Sequence, residues 1–134
     1  MSKKTMKVGI ITKTEYMRRT IAIAKGEYVP KKTEPKIWFE SLKSMSQVLS
    51  TENQHLLKLI IQHKPRSITE LEEITSRRKS NLCRTLKTLE KYGIVDLPKV
   101  KGQVVPKVKA TDFKVEFGLN IGAPILKENN HACA

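Results

Sequence analysis

The stretch from Ser67 to Lys109 constrains the fold more than any other part of the chain. Ser67-Ile68-Thr69-Glu70 is a capping box, a serine at a helix N-cap and a glutamate three residues on, each meeting the other's orphan backbone donor. It predicts a short helix with Ile68, Leu71 and Ile74 facing inward, closed by a turn around Thr75-Ser76. A longer helix is predicted from about Arg77 to Tyr92, because Leu82, Leu86 and Leu89 share one helical face and Gly93 is a natural stop. Ile94, Val95 and Leu97 then begin a strand, Lys101-Gly102 reads as a tight turn, and Gln103 to Lys109 returns as a second strand. Pro106 falls in that return strand, where it cannot donate to a ladder and belongs at an edge or a bulge. A short capped helix, a brief turn, a longer helix and a hairpin make a helix-turn-helix with a wing. The expected fold class is mostly α with a small β wing (α+β), a winged helix-turn-helix with an N-terminal strand-helix appendage.

The flanking sequence extends this unit. Leu56, Leu57, Ile60 and Ile61 form an apolar face on a helix that Ser50 can cap, that Glu52 favours electrostatically near its start, and that Pro65 ends. A preceding helix is expected to open at Ile37-Trp38-Phe39 and run to about Val48, since Phe39, Leu42, Met45 and Leu49 follow helical spacing. Residues 37–119 are therefore read as the main domain. Residues 1–36 are read as an appendage and linker: a short strand over Met6–Ile11, a helix capped by Thr12 or Thr14 that ends near Lys25-Gly26, and an exposed linker over Pro30–Lys36. The helix carries Met17, Ile21 and Ala24, with Ala22 and Ile23 alongside. One strand and one helix cannot bury themselves, so they must pack on the main domain or on a second copy of the chain. Residues 120–134 are read as a C-terminal tail with no assigned role.

Charge bounds the partners. The 134 residues include 26 Lys and Arg against 13 Asp and Glu, a formal net charge of +13. So basic a domain, 39% hydrophobic and able to bury a core, usually meets a polyanion, most often nucleic acid. A membrane surface would need a basic amphipathic helix with bulky apolar anchors, and the chain has neither that nor an 18-residue apolar run. The N-terminus has lysines but no apolar core of a secretory signal. Cys83 and Cys133 form no CxxC pair and stand at no metal-ligand spacing with His55, His63 or His131, so reduced thiols and a cytoplasmic setting are expected. No nucleophile elbow, phosphate loop, zinc-hydrolase or paired-carboxylate motif is present. The expectation is a binding module rather than an enzyme, with no catalytic residue, metal ligand or cofactor.

The longer helix carries the candidate chemistry. With the leucines turned inward, Arg77, Ser80, Asn81, Arg84 and Lys87 fall on or near the outward face, and Arg78 and Lys79 flank it in the first turn. Arg can hold guanine bidentately, Asn can hold adenine, and Ser can reach phosphate or base. In a helix-turn-helix the start of the second helix meets base edges in the major groove. Cations at a helix N-terminus also oppose its partial positive charge and call for an anion there. Glu70, Glu72 and Glu73 on the preceding helix are read as first-turn caps and as partners for nearby Lys and Arg. In the wing, Lys99, Lys101 and Lys107, with Lys109, suit flanking phosphates or a minor groove, or equally protect an edge strand from association. Tyr92 reads as a packing residue, and Trp38 and Phe39 as anchors of the first helix or parts of a subunit contact.

Taken together, Phe39-Glu40-Ser41-Leu42, the run from Leu49 to Leu57, Pro65–Leu71, Arg84–Val95 and Pro106 resemble a group of small prokaryotic winged helix-turn-helix regulators often described as MarR-like. The resemblance covers about residues 6–118. It implies a homodimeric DNA-binding regulator that acts on its own operon, reading DNA through Ser80, Asn81 and Arg84 with Arg77 and Arg78 before them. Some members of the group act as antitoxins, so it also implies a possible toxin protein as partner. The alternatives to a sequence-specific double-stranded DNA-binding transcriptional regulator are therefore an antitoxin whose main role is to neutralise a toxin, an RNA-binding winged helix and a ligand-sensing regulator. The RNA reading suffers from the shortage of aromatics on which bases could stack.

Overall fold

The computed structural model describes residues 2–119. Their order is β1 (Thr5–Ile10), α1 (Lys13–Ala24), β2 (Ile37–Phe39), α2 (Leu42–Val48), α3 (Thr51–His63), α4 (Ile68–Thr75), α5 (Lys79–Lys91), then β3 (Val95–Asp96), β4 (Lys99–Val100), β5 (Gln103–Val104), β6 (Lys107–Val108) and β7 (Asp112–Glu116). The described residues are thus mixed α/β, with helices dominating. The tail from residue 120 onward, with His131 and Cys133, lies outside the described residues.

The strand near the N-terminus is the middle of a sheet. β1 pairs in parallel with β2 on one side and β7 on the other, with Val8 opposite both Ile37 and Val115. Alternation then sorts its residues. Met6, Val8 and Ile10 join the core, while Lys7 and Gly9 point to the other face. Gly9 is required by close approach, since a Cβ there would lie 2.5 Å from Trp38 Cζ3 and 2.8 Å from Pro35 Cγ. On the same face Lys7 Nζ meets the Glu116 carboxylate at 2.8 Å. That hydrogen bond and charge hold the Glu116 carboxyl below its ordinary range.

Residues Ile37–Phe39 do not open a helix as their spacing suggests. They form β2, and the helix begins only after Ser41, whose hydroxyl accepts from the Ser44 N–H. The reason is non-local: β1 offers an open strand edge, and a β-branched and aromatic triplet fills it better than a helix's first turn. Phe39 thereby enters the core and stacks on Tyr92, with ring centroids 4.6 Å apart. Trp38 turns the opposite way, over Gly9.

Helix α1 crosses between β1 and β2. Thr12, rather than Thr14, caps it, accepting from the Glu15 N–H at 3.3 Å. Its half-buried face is Glu15, Arg19, Ala22 and Ile23. Met17 and Ile21, two of its apolar positions, remain 54% and 51% exposed, so they do not pack on the main domain. Arg19 decides the orientation: its guanidinium lies 5.1 Å from the Trp38 ring centre and pairs with Glu34 at 2.9 Å.

The core runs from this sheet into the helices. Val8, Ile37 and Phe39 pack with Leu56, Leu57 and Ile60 of α3, Leu71 of α4, and Leu82, Leu86 and Leu89 of α5. The hairpin after α5 is not one continuous ladder. β3 pairs with β6 and β4 with β5, and the ladder breaks where Pro98 and Pro106 fall. Across the break the Val105 N–H still donates to the Pro98 carbonyl at 2.9 Å. Pro106 is buried at this bend, satisfying the rule that proline avoids a ladder donor position.

Candidate nucleic-acid interface

Four hydrogen bonds shape α4 and the turn that follows it. The Glu70 N–H donates to Ser67 Oγ at 3.0 Å, which starts α4 as the capping box requires. The reciprocal half is displaced by one residue, because Glu70 Oε2 accepts from the Arg66 N–H at 3.3 Å. At the other end Ser76 takes a left-handed conformation, φ 58°, and its N–H donates to the Glu72 carbonyl at 2.9 Å. The turn is tightened by Thr75 Oγ1, which accepts from the Arg77 N–H at 3.2 Å.

Helix α5 begins two residues later than its sequence suggests, at Lys79 with Arg78 as N-cap, and Arg78 offers it no side-chain cap. The cap comes from α4: Glu72 Oε2 accepts from the Lys79 N–H at 3.1 Å. The anion that the cationic helix start calls for is therefore supplied within the chain. That accounts for Glu72 and removes one reason for placing a phosphate at this point.

The candidate residues divide into two groups. Arg77 is half-buried, and its guanidinium donates to the Glu52 carbonyl in α3 at 3.0 Å. It ties the turn before α5 to the first turn of α3. Arg78, Lys79, Ser80, Asn81, Arg84 and Lys87 are all exposed, and no ion pair among the described residues engages them. Ser80, Arg84 and Lys87 recur at steps of four and three, with Asn81 beside them, forming one stripe opposite the buried leucines. Thr88 and Lys91 extend that stripe by another turn and are also exposed. The spacing Arg84, Lys87, Lys91 was the signal that marks the last of these.

In the hairpin, Lys99, Lys101 and Lys107 are exposed, whereas Lys109 is half-buried and 3.9 Å from Asp96. Lys101 and Gly102 both have positive φ, 52° and 78°. This is the two-residue geometry that matches a hairpin's twist. Glycine takes it freely, but a lysine there costs about 1–2 kcal/mol. The tip therefore holds a cation at a position better suited to asparagine or glycine.

Other chemistry is sparse. His55 and His63 are exposed, Cys83 is a half-buried free thiol, and no group of three His, Cys, Asp or Glu side chains among the described residues could hold a metal ion. No helix of the described residues is long and apolar enough to cross a membrane.

The model of one protein family, HVO_A0114, matches residues 48–115, about half the chain, from the end of α2 to β7. No curated protein and no solved structure matches.

Proposed function

The chain belongs to the HVO_A0114 family, and from that footing we propose that it is a winged helix-turn-helix regulator that binds double-stranded DNA. In this reading α4 and α5 are the helix-turn-helix, α5 lies in the major groove, and the β3–β6 hairpin is the wing on the flanking backbone or minor groove. The observation that carries the proposal is the α5 stripe. Ser80, Asn81, Arg84 and Lys87 stand free on a helix whose other face is locked by Leu82, Leu86 and Leu89. A rigid helix with unpaired bidentate donors is what base readout needs. The net charge of +13 supports a polyanionic partner, and the lysine at the strained hairpin tip supports a role for the wing. The protein works as a binding module, not a catalyst, as a cytoplasmic homodimer of the MarR-like kind that spans two half-sites.

The test is binding of the purified protein to its own upstream DNA over a range of salt, with random DNA and RNA as competitors. Binding that survives random competitor and falls steeply with salt is the expected result. Arg84→Ala should cost about 1–3 kcal/mol and relax preference at one base position. Lys101→Ala should weaken all sequences alike and shallow the salt dependence. Equal, weak binding to every polyanion would sink the reading.

A further inference from the structure

The outer edge of β7 has no strand partner among the described residues. Edge strands of this kind are normally kept short, interrupted by proline or covered, because their open N–H and C=O groups recruit another strand. The opposite edge of the sheet follows that rule: β2 has three residues and comes directly after Pro35-Lys36. β7 has five residues, no proline and no bulge.

Its side chains show what the edge lacks. Phe113 and Val115 lie on the core side and line an open, mostly apolar groove of about 630 Å³, with Met45, Leu49, Leu57 and Ile61 on its other walls. The same alternation continues past the strand. Val115, Phe117 and Leu119 are 41%, 55% and 82% exposed, so the apolar stripe runs off the body of the molecule. The other face carries Lys114 and Glu116, charges of opposite sign two positions apart, and Glu116, paired with Lys7 of its own chain, stays 61% exposed toward the open edge.

We propose that β7 pairs antiparallel with β7 of a second copy, about a twofold axis at Val115, and that Phe117 of each copy closes the groove of the other. The register follows from charge. Centred on Val115, the pairing sets Lys114 of one copy opposite Glu116 of the other, twice, and Phe113 opposite Phe117. Centring one residue earlier or later sets Lys114 against itself or Glu116 against itself. Centring on Phe113 leaves Phe117 without an apolar partner. An isologous interface needs a self-complementary surface, and of the registers centred within β7 only the one at Val115 provides it. Two three-stranded sheets become one of six strands, and both β7 edges disappear. The interface deepens the dimeric part of the proposed regulator. Measuring assembly without DNA keeps its failure separate from failure of the DNA reading.

The experiment is sedimentation of the full chain through the micromolar range, with circular dichroism confirming that each variant folds. The wild type should be a dimer. Lys114→Glu and Glu116→Lys should each weaken it about tenfold, because like charges then face across the axis. An equimolar mixture of the two variants should bind more tightly than either variant alone, since opposite signs meet again in the mixed dimer, although the Lys7 contact of Glu116 stays lost in one copy. In a Cys83→Ser, Cys133→Ser background, Val115→Cys should form a disulfide between copies on mild oxidation. A wild type that stays monomeric overturns the proposal. A dimer that neither charge variant weakens, or whose cysteine variant does not cross-link, also overturns it and moves the contact elsewhere.

Discussion

Helices α5 and α1 are nearly equal in length, 13 and 12 residues, and both carry cations and aliphatic side chains, yet they are held in opposite ways. α5 buries Leu82, Leu86 and Leu89 completely and leaves its charged residues to solvent. α1 buries no residue, turns Met17 and Ile21 outward, and is fastened through Arg19. The difference teaches that helical spacing alone does not choose the inward face. Three leucines in register bury enough apolar surface to overrule any polar contact, at about 1.5–3 kcal/mol each. Met17 and Ile21 offer two such residues, and the Arg19 contacts with Trp38 and Glu34 compete with them. Position compounds the effect. α1 follows β1 after only two residues, so its start is fixed by the sheet.

The comparison can be broken most sharply at Leu86. Leu86→Ala removes a fully buried side chain from the α5 face and should cost about 2–5 kcal/mol in urea unfolding. A loss below 1 kcal/mol would mean that α5 is not the packed member of the pair. Glu72→Ala takes the carboxylate from the start of α5, and about 0.5–2 kcal/mol should go with it. Because this also removes a negative charge beside Arg78 and Lys79, DNA affinity should hold or rise, which separates the cap from the binding face. Arg19→Ala tests the other helix. Losing one partly buried ion pair and the contact with Trp38 should cost about 1 kcal/mol, and faster amide exchange should be confined to α1. Met17→Ser should be the mildest, within about 0.5 kcal/mol in the monomer, since that side chain is already more than half exposed. A large loss there would show that α1 has a buried apolar face after all.

Local rules made much of this architecture legible. The Ser67 cap, the Ser50 cap, the leucine face of α5, the stop at Gly93 and the turn at Lys101-Gly102 all depend on residues within a few positions of each other. The exposed stripe from Ser80 to Lys87 follows from the same leucines by simple subtraction. Arg77 was different. It belongs to the same cationic run as Arg78 and Lys79, and nothing within that run distinguishes a guanidinium that reaches the Glu52 carbonyl from one that reaches solvent.

What the sequence determined by itself is the succession of α3, α4, α5 and a lysine-tipped hairpin, because caps, helical periodicity and turn geometry act within single elements. Only the tertiary structure decided that Ile37–Phe39 is a strand, that β1 lies at the centre of a sheet, that Glu72 caps α5 and that Arg19 holds α1. Each of these depends on groups that meet only after folding. The parallel pairing of β1 with β7 is the extreme case, where Lys4 and Thr111 bond across 107 positions of sequence. Parallel strands need a crossover between them, so their pairing leaves no signature in either strand alone.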